Sequence, residues 1–234
     1  MTEKENKGLL SNWSDIDEDY RVEFQKWHNC EHMAERVSIP GICVGKRYQG
    51  IAKAPDFFMY YETENSKILA SDPYLHSQNN PTPWTKRSLP YLKNLVRGIY
   101  NLLACGGEKY PTESPYIHVV RFNIKSGHEK KIIHWFINEH LKKILAIHGI
   151  YRVRLYEMDD EISNISTEER KIHGGGPGQQ KFLAIYEIAN LDLPESKVWR
   201  EAIEGSEETQ NILKNWENII KESYWLDFTM YAPK

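Results

Sequence analysis

Cysteine is scarce in this 234-residue chain: Cys30, Cys43 and Cys105 are odd in number and show no C-x-x-C spacing. That argues against a disulfide framework or a thiolate metal cluster and fits reduced thiols in the cytoplasm. No uncharged apolar run reaches the length that crosses a bilayer, and the opening MTEKENKGLL holds one short apolar pair, so neither a membrane anchor nor a secretory leader is expected. Excess positive charge is also missing. With 30 basic against 33 acidic side chains, the net charge of −3 leaves no electrostatic footprint for nucleic acid. Small neutral or mildly acidic molecules are the easier partners. Apolar and aromatic residues, by contrast, are plentiful at 40% and 12%, with seven tryptophans, which is enough to offset chain entropy in a folded protein.

The chain repeats itself. Trp27, Glu31, His32, Ile39, Gly41, Ile42 and Tyr48 return as Trp135, Glu139, His140, Ile147, Gly149, Ile150 and Tyr156, all at an offset of 108. Such a period is too long for a solenoid unit and reads as a duplicated domain, with halves expected at 1–110 and 111–234. In the second half, residues 116–124 alternate as a strand, 129–147 carry a helical pattern closed by His148-Gly149, and 150–156 and 181–188 are further strands. A second helical stretch is expected over 195–222, including Trp216 and Ile219, and a last strand over 225–231. The first half follows the same plan, with strands at 9–16, 42–48 and 57–62 and a helix at 21–37. The fold class is therefore α+β, two β-α-β-β-α-β units whose bare sheet faces close a barrel with the helices outside. Tyr61-Glu62 answers Tyr186-Glu187 at an offset of 125, so the second half has 17 extra residues. They lie within about 159–180, contain GGGPG, and are expected to form a surface loop rather than a phosphate cradle.

Projected at about 100° per residue, the second helix gathers Ile132, Ile133, Phe136, Ile137, Leu141 and Ile144 around an inward His140. In the first helix the central positions are His28, His32 and Arg36. An inward stripe of two imidazoles and a guanidinium is costly to bury without partners or a wet cavity. One reading makes it a structural network with Glu31, Glu35 or backbone carbonyls. The other makes His32 a general base or acid, His28 its partner, and Arg36 a stabiliser of developing negative charge. His140, alone on an apolar face, favours a structural role. The run His28-Asn29-Cys30-Glu31-His32 spells H-x-x-E-H. Its first histidine is replaced by Phe136 in the second half, and no third carboxylate is evident, so no metal is expected. The stretch Asn80–Thr85, with two prolines around Trp84, has no evident counterpart in the second half and would hold Trp84 as a pocket wall.

The run W-H-N-C-E-H-M-A-E-R, followed by I-P-G-I, K-R-Y and a later P-T-P-W-T, resembles the dimeric α/β-barrel superfamily near its EthD-like branch. The resemblance implies tandem ferredoxin-like units forming an intrachain dimeric α/β barrel, with ligand clefts between sheet and helices. Superfamily members include cofactor-free monooxygenases, lactone isomerases, polyketide cyclases and haem-binding enzymes, so the fold names no reaction. The leading expectation is a metal-free, cofactor-free enzyme doing acid/base chemistry of lyase, isomerase or cyclase type on an aromatic or polyketide-like intermediate. His32, His28 and Arg36 are the catalytic candidates, and Trp27, Glu31, Tyr48, Trp84 and His140 the substrate-binding ones. Alternatives are a haem-binding monooxygenase-like protein, ligated by His32 or His140, and a non-catalytic metabolite binder. Homodimerisation of the fused chain is left open.

Overall fold

The computed structural model describes residues 7–108 and 113–233, so the expected boundary at 110/111 lies outside the described residues. Among the described residues there are eight strands: β1 (Gly8–Ile16), β2 (Ile42–Gly50), β3 (Phe57–Thr63), β4 (Leu92–Gly107), β5 (Tyr116–Ile124), β6 (Ile150–Met158), β7 (Phe182–Ile188) and β8 (Trp216–Tyr231). Their hydrogen-bonded order, β1-β3-β2-β8-β5-β7-β6-β4, closes on itself as an eight-stranded barrel. Every residue of β3 and β7 is buried, which is why these strands read as continuous apolar runs instead of alternating ones.

The chain divides into two compact units that are not contiguous in sequence. Unit 1 gathers residues through Asn101, Met158–Gly178, and the residues from Asp227 onward; unit 2 holds Leu102–Glu157 and Gln179–Leu226. In unit 1, β1 is antiparallel to both β3 and the first part of β4, and β3 pairs with β2. In unit 2, β5 is antiparallel to both β7 and the first part of β8, and β7 pairs with β6.

Each signature helix is three pieces on one axis. In unit 1, α1 (Arg21–Trp27) passes through a π-helical turn, His28–His32, into α2 (Met33–Val37). Between its β2–β3 hairpin and β4 lie α3 (Asp72–Asn79) and α4 (Pro83–Ser88). In unit 2, α5 (Glu129–Trp135) passes through the π turn Phe136–His140 into α6 (Leu141–Leu145). Irregularities recur at the sequence offset. The ladder slips between Trp13 and Asp15 and again between Arg121 and Asn123, and also between Ile42 and Val44 and between Ile150 and Arg152. Gly41 and Gly149, after the two helices, have φ of +90° and +91°.

Two expectations are corrected. The segment 159–180 is not simply a loop: it forms α7 (Asp160–Ser163) and α8 (Glu168–His173), and most of it belongs to unit 1. Asp159 and Thr167 cap these helices, accepting from the backbone N–H of Ile162 and Arg170, and Gly174 at φ +69° ends the second. The helical stretch expected over 195–222 is two short helices, α9 (Lys197–Glu204) and α10 (Glu207–Leu213), broken where Gly205 meets the capping Ser206. Trp216 and Ile219 lie in β8 rather than in a helix, because the strand begins well before Trp225. Among the described residues no helix is long and apolar enough to cross a membrane.

Candidate functional site

The polar stripe faces a cleft in unit 1, between the α1–α2 helix, strands β1, β3 and β4, and helices α3 and α8. Four-residue steps along an α-helix drift by about 40° each, which would spread His28, His32 and Arg36 around the axis. The π turn adds a residue to one turn and takes back part of that drift, and all three side chains line the cleft.

Two of the three have their polar atoms engaged within the protein. His28 is buried and its Nδ1 accepts from Arg47 Nη1 at 3.1 Å, while Arg47 Nε donates to Asp227 Oδ2 at 2.6 Å. Burial, and then the charges of Arg47 and Arg36, hold the His28 pKa well below the ordinary histidine value. Arg36, 1% exposed, is ion-paired with Glu169 of α8, donates to Ser77 Oγ, and lies 3.3 Å from Glu35 Oε2. Gln78 Nε2 donates to the other Glu169 oxygen at 2.8 Å. Burial alone would weaken the guanidinium's hold on its proton, and Glu169, together with Tyr74 and Glu35, more than offsets that.

His32 is different. Its ring packs against the Trp27 ring at 4.5 Å between centroids, and its buried Nδ1 has no hydrogen-bond partner among the described residues. Burial, followed by the Arg36 charge, pushes its pKa well down, so the imidazole is neutral at pH 7 and has an unshared pair to offer. Tyr61 also lines the cleft, with a buried hydroxyl that has no hydrogen-bond partner among the described residues and is kept protonated by burial. His173 of α8 completes the set. Its Nδ1 accepts from the Gly175 N–H at 2.9 Å, so in the neutral ring the proton sits on Nε2. Burial and the neighbouring Arg97 and Arg170 lower its pKa to about 4. The cleft thus offers a neutral base and two neutral donors in a field set by buried guanidinium groups. Its free space, about 50 Å³, admits a few waters or the reacting edge of a larger molecule.

The other sequence candidates are placed as follows. Trp27 lines the cleft and donates through Nε1 to Thr85 Oγ1 at 3.2 Å. Glu31 accepts from Thr82 Oγ1 at 2.6 Å and Thr85 Oγ1 at 3.3 Å, which ties the π turn to α4 instead of turning the carboxylate to a ligand. Tyr48 is buried and shares a hydrogen bond with Tyr60, and Trp84 donates to Glu23 Oε1 at 3.1 Å; neither lines the cleft. The P-T-P-W-T stretch does have a counterpart, contrary to expectation: Ser206 and Thr209 of α10 answer Thr82 and Thr85. Trp135 Nε1 donates to Thr209 Oγ1 at 3.3 Å as Trp27 does to Thr85.

His140 belongs to another place. It lines a cavity of about 430 Å³ in unit 2, where its Nε2 shares a 2.9 Å hydrogen bond with the Tyr186 hydroxyl. Tyr186 stands where Tyr61 does in unit 1, so the pair that is bonded in one unit is unbonded in the other. Burial, and then Lys143, lower the His140 pKa to about 3. Sequence reasoning missed Glu169 and His173, although Thr167 followed by Glu168 and Glu169 is a helix-start signal. It also passed over Tyr61, which the repeat alignment had marked. Among the described residues no group of three His, Cys, Asp or Glu side chains is arranged to hold a metal ion.

No protein-family profile and no curated protein sequence matches the chain. Solved structures do. An anthrone oxidase-like protein has a TM-score of 0.65 at 7% identity, covering 98% of this chain and 95% of its own. A Lactobacillus acidophilus NCFM protein provisionally named a monooxygenase scores 0.59 at 12% identity, covering 97% of each chain. A mutant chlorite dismutase from Candidatus Nitrospira defluvii scores 0.56 at 11% identity, covering 94% of this chain and 91% of its own. At these identities the likeness shows that the chain shares their fold.

Proposed function

We propose that the chain is a small-molecule enzyme of the monooxygenase type found among its structural neighbours, in which His32 abstracts a proton from an enol, a phenol or an activated C–H group. The observation that carries this is the pair of unbonded polar groups, His32 and Tyr61, in a cleft where Arg36 is paired with Glu169 and Arg97 donates to the Tyr74 hydroxyl. His32 receives the proton, and the Tyr61 O–H and the His173 Nε2–H donate to the oxygen on which negative charge grows. His28 and Arg36 act as positioning groups whose field favours the anion. The size of the cleft suits the reacting edge of a ring system whose remainder stays in the mouth.

Anthrone is a suitable probe. Loss of a proton gives an electron-rich anion that dioxygen oxidises, with anthrone and dioxygen yielding anthraquinone and water. Anthraquinone formation and dioxygen uptake should track each other and fall by roughly 10²-fold or more in His32→Asn. Solvent deuterium entering the probe without dioxygen uptake would move the reading to the lyase, isomerase or cyclase class. Equal rates for the wild type, the variant and buffer would refute the role of His32.

The haem alternative has less support from this geometry. One His140 nitrogen, Nε2, is engaged by the Tyr186 hydroxyl, and the cleft around His32 has no room for a porphyrin. We also propose that the two units derive from one duplicated ancestor near the EthD-like branch. Matched π turns and ladder slips at an offset of 108, with the Trp27-to-Thr85 hydrogen bond repeated as Trp135 to Thr209, support that reading.

A further inference from the structure

We propose that the unit 2 cavity is a separate binding site for a flat aromatic monoanion, a bicyclic carboxylate or phenolate. The inference does not depend on chemistry at His32. At about 430 Å³ the cavity falls in the range of small-molecule sites, far above the free space of the unit 1 cleft. Its size has a cause in the sequence. In unit 1 the space beneath the helix is taken up by Arg36 and the side chains of α3 and α8 that surround it. In unit 2 an isoleucine, Ile144, stands at the Arg36 position, and no described segment corresponds to α8.

The walls are aromatic and fixed against one another. Tyr186 and Trp199 pack with ring centroids 5.1 Å apart, His118 meets Trp199 edge-on at 5.6 Å, and Trp135 meets Trp216 edge-on at 6.4 Å. A planar ring system finds both flat faces and edges there. Of the lining groups, His140 Nδ1 and Trp216 Nε1 are buried without hydrogen-bond partners among the described residues. Lys221, Arg200 and Glu195 also line the cavity and are exposed, which places them at its mouth. The Lys221 ammonium makes no ion pair among the described residues, and Arg200 uses one nitrogen on the Glu195 backbone carbonyl at 2.8 Å. Two cations against one carboxylate favour a ligand with a single negative charge held at the rim.

Calorimetry of the full chain with 2-naphthoate and its neutral counterpart 2-naphthamide tests this. Saturable one-to-one binding of both is expected, with 2-naphthoate the tighter. Lys221→Gln, a change at an exposed position, should weaken 2-naphthoate about tenfold and leave 2-naphthamide unaltered. Ile203→Trp, which fills the cavity, should abolish both. His32→Asn should change neither, which separates this site from the cleft in unit 1. The proposal is overturned by no saturable binding up to millimolar ligand, by equal affinities that ignore Lys221→Gln, or by binding lost in His32→Asn. It is also overturned if hemin displaces 2-naphthoate with a Soret shift that requires His140, since the cavity would then belong to a tetrapyrrole.

Discussion

The Arg36–Glu169 pair shows how much one insertion contributes to the candidate site. Both side chains are almost fully buried, at 1% and 3% exposure, and Ser77 and Gln78 supply the remaining hydrogen bonds. Breaking such a pair on one side leaves an uncompensated charge, whereas replacing both partners with apolar groups removes charge and desolvation cost together. Glu169→Gln should therefore destabilise the protein by about 3–5 kcal/mol, and Arg36→Met combined with Glu169→Leu by much less, both read from urea unfolding midpoints. If the single change proves no worse than the double, the pair does not carry the charge balance assigned to it. The helical spacing of His28, His32 and Arg36 was legible in the sequence, and all three do face one cleft. Glu169 was not, because it sits in the polar run Thr167–Lys171, which reads as solvent-facing; its burial comes from tertiary contact with Arg36, a residue more than a hundred positions earlier.

At the level of elements, the repeated glycines after the signature helices make the two units comparable by experiment. Gly41 and Gly149 have φ near +90°, and a Cβ at Gly41 would come 2.6 Å from the end of the Ile68 side chain. Alanine at either position forces an L-residue into a backbone region it avoids, at about 1–3 kcal/mol. Gly41→Ala and Gly149→Ala should lower thermal stability by similar amounts, and a large disparity would show that the two turns are not equivalent in practice. The regular strands were the easiest elements to read: β5 is Tyr116–Ile124, the same span that alternation marked. What failed were elements decided by partners rather than pattern. Trp216 and Ile219 fit a helical spacing but lie in β8, where Trp216 pairs with Ile124 of β5 and Ile219 falls at the register slip opposite Arg121–Asn123, and the glycine-rich segment 174–176 looked like a free loop but lies against β4, where Arg97 N–H donates to the Gly176 carbonyl at 2.8 Å.

Across the whole molecule, buried neutral imidazoles set the response to acid. Burial is the main cause holding His118 and His173 at about 4 and His140 at about 3, and it pushes His28 and His32 down as well. In the unfolded chain these rings bind protons below about pH 6.5, while in the folded chain they stay neutral. The unfolded state therefore gains protons first, and stability falls as pH drops from about 6.5 towards 4. Each ring contributes a loss on the order of 1–2 kcal/mol between pH 6.5 and 5, so melting temperatures should decline steadily over that interval; a flat profile would contradict neutral burial. Unit 1 is assembled from three separated stretches, and its candidate cleft draws on the second of them through Glu169 and His173. A ribosome making this chain must therefore have added Glu169 and His173 before the cleft can acquire its full lining, and Asp227 before that carboxylate can meet Arg47. During synthesis, Arg36 and Arg47 wait on partners made more than a hundred residues later.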